Sequence, residues 1–507
     1  MIRILGIRNF FENQVRLEKI VYGSIFICLV TTATIIRLPY LYTESMGSDD
    51  ALYAWSAKRI AQNPSLIFSR EIIEYHPPLF PVLLTIGHFF PNGEIGYRAV
   101  VLSLSLLGIV VVYILGARLR SRFLGIFAAL LLGFNYLYLL TGVQILTDMP
   151  ATVFFMGLLL LLANVNGRPN ISLGIGVGIM GSLLILLKWS MTLVVPFLIF
   201  YYLWAPWGIP IRERMKKLGW SLGIVLFTVS ALLINNYFAS GSIWPNTETL
   251  TALGHEKRPF SYYFFNGHNV VMIPVLIPLF LFGVYAMFRD HYVHKNLLLS
   301  YLFVFGFGLS FVPVKVLRYA LILIPGLLLV AGIGLENLLT SIFKDYGKRW
   351  LSMVISLLAI YVICCVYYPK IAMMLKKSLA TSTGLKEAGE VLKKKKRPES
   401  NIIVENRRPT RYYTGINFKE FGGQLVVLPL QKAGFEELIK TVHGHTLLQV
   451  ELWHQTPEGY PFSHSDEEEK YFARFGFKLI KKVYRPVYAR YGTAVETIPV
   501  VKIFERE

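Results

Sequence analysis

The chain has 507 residues, of which 54% are hydrophobic and 16% charged, with a mean hydropathy of +0.51 and a formal net charge of +20. That balance excludes an ordinary soluble globule, in which charged residues make up about a quarter of the chain. The basic excess is spread through short loops between apolar runs, so it speaks for membrane topology and against a nucleic-acid surface.

Taken in order, Arg3, Arg8, Arg16 and Lys19 precede an apolar run over 20–41 that no small-residue cleavage site follows, so this run is expected to be kept as a first span. Cys28, Cys364 and Cys365 all fall in apolar segments, where thiols behave as small hydrophobes; they build neither a disulfide framework nor a metal site. Further apolar runs lie at 97–117, 123–141, 149–165, 171–187, 190–206, 218–238, 269–288, 296–312, 319–338 and 350–368. With the first they predict about eleven crossings, given that ~20 residues span the hydrocarbon layer.

Leu79 to Phe90 is too short to cross. Read as an interfacial helix started by Pro77-Pro78, it leaves the basic loops Arg118–Arg122, Arg168, Arg212–Lys217, Arg289–Lys295 and Lys344–Arg349 on the side of the basic N-terminus, as the positive-inside rule asks. The external face then receives the first loop, 43–96, together with Thr147-Asp148, Lys188, the loop 239–268, Lys315 and Arg318. Residues 1–380 are thus expected to form a helical membrane domain. Residues 381–507 are expected to form a small external α/β domain, with β-rich runs at 401–404, 424–427, 447–452 and 477–483.

Residues 45–81 are the main polar interruption. Asp49 and Asp50 are adjacent and cannot both face one partner, so a single catalytic carboxylate is expected, beside capping of the helix that starts there. Asp148, ahead of Met149-Pro150, caps the start of an apolar run and is also a second acid on the same face. Lys188 ends one run before Trp189-Ser190, where a lysine either snorkels to headgroups or meets an anion. Lys315 and Arg318 share a helical face and put positive charge on the side that topology disfavours, a pairing suited to an external phosphate. Glu74, His76, His255 and His268 are the external residues that keep a divalent metal open as a cofactor, although no zinc-motif spacing is present.

In order and sidedness this set resembles the polytopic glycosyltransferases of the GT-C class, in the superfamily of protein O-mannosyltransferases and aminoarabinose transferases. The resemblance spans roughly the first 380 residues. It is carried by Asp49-Asp50 with Tyr53, His76-Pro77-Pro78-Leu79, Glu94 with Arg98, Thr147-Asp148-Met149-Pro150, Leu187-Lys188-Trp189-Ser190, and Lys315 to Tyr319 followed by Pro325.

It implies the GT-C fold, a polyprenyl- or dolichyl-phosphate sugar as donor, a lipid, glycan or protein hydroxyl as acceptor, and inversion at the anomeric carbon. It also implies roles: Asp49 as base, Asp148 orienting acceptor or base, and Asp50, Tyr53, His76, Lys188, Lys315 and Arg318 binding substrate. Asp50 stands where the family usually has glutamate, and the C-terminal domain does not resemble the β-trefoil of eukaryotic protein mannosyltransferases. The competing class is a transporter or flippase of lipid-linked sugars, which calls for charges near the bilayer midplane.

Overall fold

The computed structural model describes residues 2–42, 46–69, 72, 76–163, 171–204, 210–241, 276–311, 316–379, 384–397, 399–404, 407–415, 425–427, 432–451, 467–488 and 494–507. The chain divides into two compact units: Met1–Leu41 with Arg59–Pro369, and Tyr42–Lys58 with Lys370–Glu507. The second unit therefore takes a piece of the first polar loop as well as the C-terminal part of the chain from Lys370 on.

The helices up to the last apolar run are α1 (Ile2–Arg37), α2 (Ser48–Gln62), α3 (Leu79–His88), α4 (Gly93–Leu119), α5 (Arg122–Phe134), α6 (Tyr136–Thr141), α7 (Asp148–Ala163), α8 (Ile171–Leu187), α9 (Val194–Trp204), α10 (Ile211–Ser240), α11 (Leu276–Arg289), α12 (Lys295–Phe311), α13 (Ile324–Ile342) and α14 (Tyr346–Leu379). Among the described residues, five segments are long and apolar enough to cross a membrane: Leu17–Tyr42, Gly93–Leu119, Ile211–Phe238, Leu317–Ile342 and Gly347–Pro369. The protein is a multi-pass membrane protein.

Among the described residues, every other expected crossing is occupied by a shorter apolar helix. The run 123–141 shows why, because Asn135 adopts an extended backbone and its side chain accepts from the Tyr138 N–H, ending α5 and capping α6. Leu79–His88 is a ten-residue helix, about 15 Å long and well short of a crossing.

Small residues let these helices approach. Gly87 of α3 meets Gly96 of α4 so closely that a methyl on either would strike the other's backbone. Gly283 of α11 lies on the Val330 carbonyl of α13, and Gly334 lies on the Leu279 carbonyl. Arg37, fully buried at the end of α1, donates to the carbonyls of Ala33 and Gly133, both at 2.9 Å, and to Ser105 Oγ at 3.2 Å. The Gly133 carbonyl belongs to the last turn of α5, which lacks helical partners, so the guanidinium caps one helix while tying it to two others.

An aromatic cluster lies two turns along α7 from Asp148. Phe155 stacks obliquely on Phe305 at 4.5 Å, on Tyr301 at 4.9 Å and on Phe197 at 5.5 Å between ring centroids. Tyr301 Oη donates to the Ile322 carbonyl. This joins α12 to the 3-10 segment Leu317–Leu323, which carries Arg318.

The C-terminal part continues with α15 (Leu385–Lys395), β1 (Asn401–Val404), α16 (Arg407–Thr414), β2 (Leu425–Val427), α17 (Lys432–Thr441), β3 (Thr446–Glu451), α18 (Glu467–Ala473), β4 (Lys478–Tyr488) and β5 (Ala494–Arg506). The sheet order is β2-β1-β3-β5-β4, parallel across β2, β1 and β3 and antiparallel from β3 to β5 to β4. All four residues of β1 are buried, as a strand covered on both faces must be. Ile402 and Val404 pack with Leu385, Ala388 and Leu392 of α15, whereas Ile403 packs with Phe435 and Ile439 of α17 and Phe472 of α18. Alternation along one strand thus builds two apolar layers. The four expected strands form, and β5 is an addition.

Candidate active site

Two aspartate-centred clusters carry the residues singled out in the sequence, one in each unit.

In the first unit Asp148 opens α7, where a carboxylate suits the positive end of the helix, and Lys188 follows the last residue of α8, where a cation suits the negative end. Lys188 Nζ donates to Asp148 Oδ1 at 2.5 Å, with side-chain exposures of 15% and 5%. Arg318 Nε lies 3.7 Å from the other oxygen, Oδ2. Tyr319 completes the group: its ring centroid is 4.2 Å from Lys188 Nζ and 5.9 Å from the Arg318 guanidinium carbon. A small cleft opens here, floored by Thr152, Met191, Leu309 and Ile322 and edged by Asp148, Lys188 and Tyr319. Among the described residues, two cations thus share one acid beside an aromatic face, an arrangement that suits an anion.

In the same unit Glu94 and Arg98 form a buried pair at 3.1 Å, and Arg98 also donates to the Tyr40 carbonyl at 3.4 Å. This ties the end of the first span to the start of α4. His76 is half-buried just before Pro77. Lys315, Glu74, His255 and His268 fall outside the described residues.

In the second unit the adjacent acids separate by role. Gly47 N–H donates to Asp50 Oδ2 at 3.4 Å, and Ala51 N–H returns to the Gly47 carbonyl at 2.9 Å. Asp50, buried in the first turn of α2, thereby closes the helix start as the acid of a capping box does. Asp49 points elsewhere and is 28% exposed. Its Oδ1 accepts from Arg408 Nη1 of α16 at 2.6 Å. Tyr53, one turn on, is buried. Arg408 is the residue that sequence reasoning missed; 359 positions separate it from Asp49, and no local pattern links the two.

The one group of described residues spaced to hold a metal is His445, Glu505 and Glu507. Its donors are engaged: His445 bridges Ser400 Oγ at 2.6 Å and Glu505 at 2.9 Å, Lys395 reaches Glu505 at 3.6 Å, and Arg397 grips both oxygens of Glu507 at 2.9 and 2.8 Å. His445 and the Lys395 charge hold the Glu505 carboxyl below its ordinary value. These residues fit a charge network rather than a resident cation.

The fold is that of the polytopic GT-C glycosyltransferases. The apo crystal structure of ArnT from Cupriavidus metallidurans superposes with a TM-score of 0.60 at 13% identity, covering 94% of this chain and 97% of that one. Its form bound to undecaprenyl phosphate gives 0.59 with the same identity and coverage. The Archaeoglobus fulgidus oligosaccharyltransferase AglB, in complex with an inhibitory peptide and a dolichol-phosphate, gives 0.55 at 10% identity, covering 90% of this chain and 70% of that one. Residues 75–234 match the dolichyl-phosphate-mannose-protein mannosyltransferase family. No curated protein matches the sequence.

Proposed function

We propose that the protein is a membrane glycosyltransferase that moves a hexose or pentose from a polyprenyl or dolichyl monophosphate to an acceptor hydroxyl at the external face of a cell membrane, with inversion. The observation that carries this reading is the cluster of Lys188, Arg318 and Tyr319 around Asp148 at one end of apolar helices, in a fold whose solved members include forms with undecaprenyl phosphate and with dolichol-phosphate.

In this reading Lys188 and Arg318 supply the counter-charge to the lipid phosphate. That charge grows as the anomeric carbon–oxygen bond breaks, so their contribution is larger in the transition state than in the bound donor. Lys315 is assigned to the same role by its position in the sequence. Asp148 holds the two cations at fixed spacing, its carboxylate being 5% exposed with Lys188 on one oxygen and Arg318 near the other. Asp49 is assigned the base: it removes the acceptor hydroxyl proton as the oxygen attacks the anomeric carbon, and the lipid phosphate departs on the opposite side. Asp50 supports the helix that presents Asp49.

The test uses membranes carrying wild type or Asp49→Asn with undecaprenyl-phosphate [14C]mannose, its pentose counterpart, and lipid, glycan and peptide acceptors. Transfer of label by wild type and its loss in Asp49→Asn support the reading. Equal transfer by both removes Asp49 as the base, and label that crosses the bilayer without transfer favours the lipid-linked sugar transporter.

A further inference from the structure

The short helix α16 makes three separate contacts with the segment Tyr42–Lys58, all within the second unit. Arg408 Nη1 donates to Asp49 Oδ1 at 2.6 Å, the Arg411 guanidinium lies over the Trp55 ring at 4.6 Å, and Met46 N–H donates to Tyr413 Oη at 2.6 Å. Arg408 and Arg411 are three residues apart and share a helical face. The contacts bracket Asp49 on both sides in sequence, at Met46 and Trp55. A pair as exposed as Asp49 with Arg408, at 28% and 29%, contributes little to stability, so a packing role does not account for it.

The local charge does account for it. Two carboxylates stand on consecutive residues at the start of α2, and Asp50, 7% exposed, is committed to the helix start. The other charged and titratable side chains described on these two helices are Tyr53, Lys58 and Arg59 on α2, and Arg411, Tyr412 and Tyr413 on α16. Of these, Arg408 is the cation seen in contact with the Asp49 carboxylate.

We propose that Arg408 is a positioning residue for Asp49, fixing the orientation and ionised state of the carboxylate, so that the C-terminal unit takes part in the transfer reaction. This rests on the reading of Asp49 as base. The domain that sequence alone leaves without a role thereby acquires one: it carries the group that sets the base. A guanidinium at this distance keeps a carboxylate ionised to lower pH, and its planar fork fixes direction where a flexible ammonium would only supply charge.

The experiment measures kcat/KM against pH for wild type, Arg408→Ala, Arg408→Lys, Arg408→Gln, Tyr413→Phe and Asp49→Asn, with undecaprenyl-phosphate [14C]mannose and the acceptor that wild type uses. Arg408→Ala and Arg408→Gln are expected to move the acidic limb up by about one pH unit and to lower kcat about tenfold with the donor KM unchanged. Arg408→Lys is expected to restore the limb but only part of kcat. Tyr413→Phe, which breaks a neighbouring contact without changing charge, should leave the limb in place. A wild-type limb in both Arg408→Ala and Arg408→Gln overturns the proposal, whatever their rates. If instead Asp49→Asn transfers as well as wild type, the reading of Asp49 falls and this one with it.

Discussion

Asp148 and Asp49 both stand in the first turn of a helix and both meet a cation, yet they differ in burial. Asp148 is 5% exposed and shared between Lys188 and Arg318, so its charge is spent inside the protein. Asp49 is 28% exposed, and among the described contacts its carboxylate meets the Arg408 guanidinium. A buried carboxylate between two cations is a fixture whose loss strands positive charge, and a partly exposed one can exchange a proton with a substrate at modest cost. Helix position alone does not separate the two acids; burial does.

The most direct way to break this comparison is Asp49→Asn. It should lower transfer by about 10²- to 10⁴-fold, the usual worth of a general base, and leave the thermal midpoint in detergent nearly unchanged. A fall in the midpoint comparable to that of the Asp148 variants would erase the distinction. Next comes Asp148→Ala, expected to destabilise by about 3 kcal/mol because Lys188, 15% exposed, loses the carboxylate it donates to. The double variant Asp148→Leu/Lys188→Met should recover most of that stability and none of the transfer, as read by thermal unfolding and radiolabel assay on one sample.

Arg318→Lys sharpens the other side. It keeps the charge and loses the planar fork, so kcat/KM for the donor should fall about tenfold, consistent with the ~1–2 kcal/mol that separates a charge-assisted fork from a point charge. An unchanged kcat/KM would remove Arg318 from the phosphate.

The smallest effect belongs to the C-terminal sheet. The Glu505 carboxyl is lower in the folded protein than in the unfolded chain, first through its hydrogen bond to His445. Its contribution to stability is therefore present above the unfolded carboxylate range and lost as pH falls through the lowered folded value. His445→Gln should flatten the acid limb of the stability profile, followed by circular dichroism between neutral pH and about pH 3, while leaving transfer at neutral pH intact.

Much of this was legible in the chain because apolar periodicity is local. Each expected apolar run appears as one or more helices, and the short run at Leu79 is a short helix. The number of full crossings was less legible, since a residue such as Asn135 can end a helix inside an apolar run without changing its hydropathy. Asp148, Lys188 and Arg318 could be grouped by topology, because each sits at a helix end. Their mutual pairing could not, because it depends on how α7, α8 and the 317–323 turn pack. The adjacency of Asp49 and Asp50 announced that one acid would be spared, and only the Gly47 hydrogen bond tells which. Arg408 was beyond reach: charge pairing at a distance of several hundred residues leaves no periodic trace.

That same separation sets an order in time. Asp49 leaves the ribosome early, and Arg408 follows 359 residues later. At synthesis rates of about 5–20 residues per second the interval is roughly 20–70 s. Once Lys188 has been made, the growing chain contains Asp49, Asp148 and Lys188 but not yet Arg408. The ion pair can close only when the last apolar helix has been made and the domain beyond it has folded. A chain truncated after α14 would keep its membrane helices and lack the ion pair that Arg408 makes with Asp49.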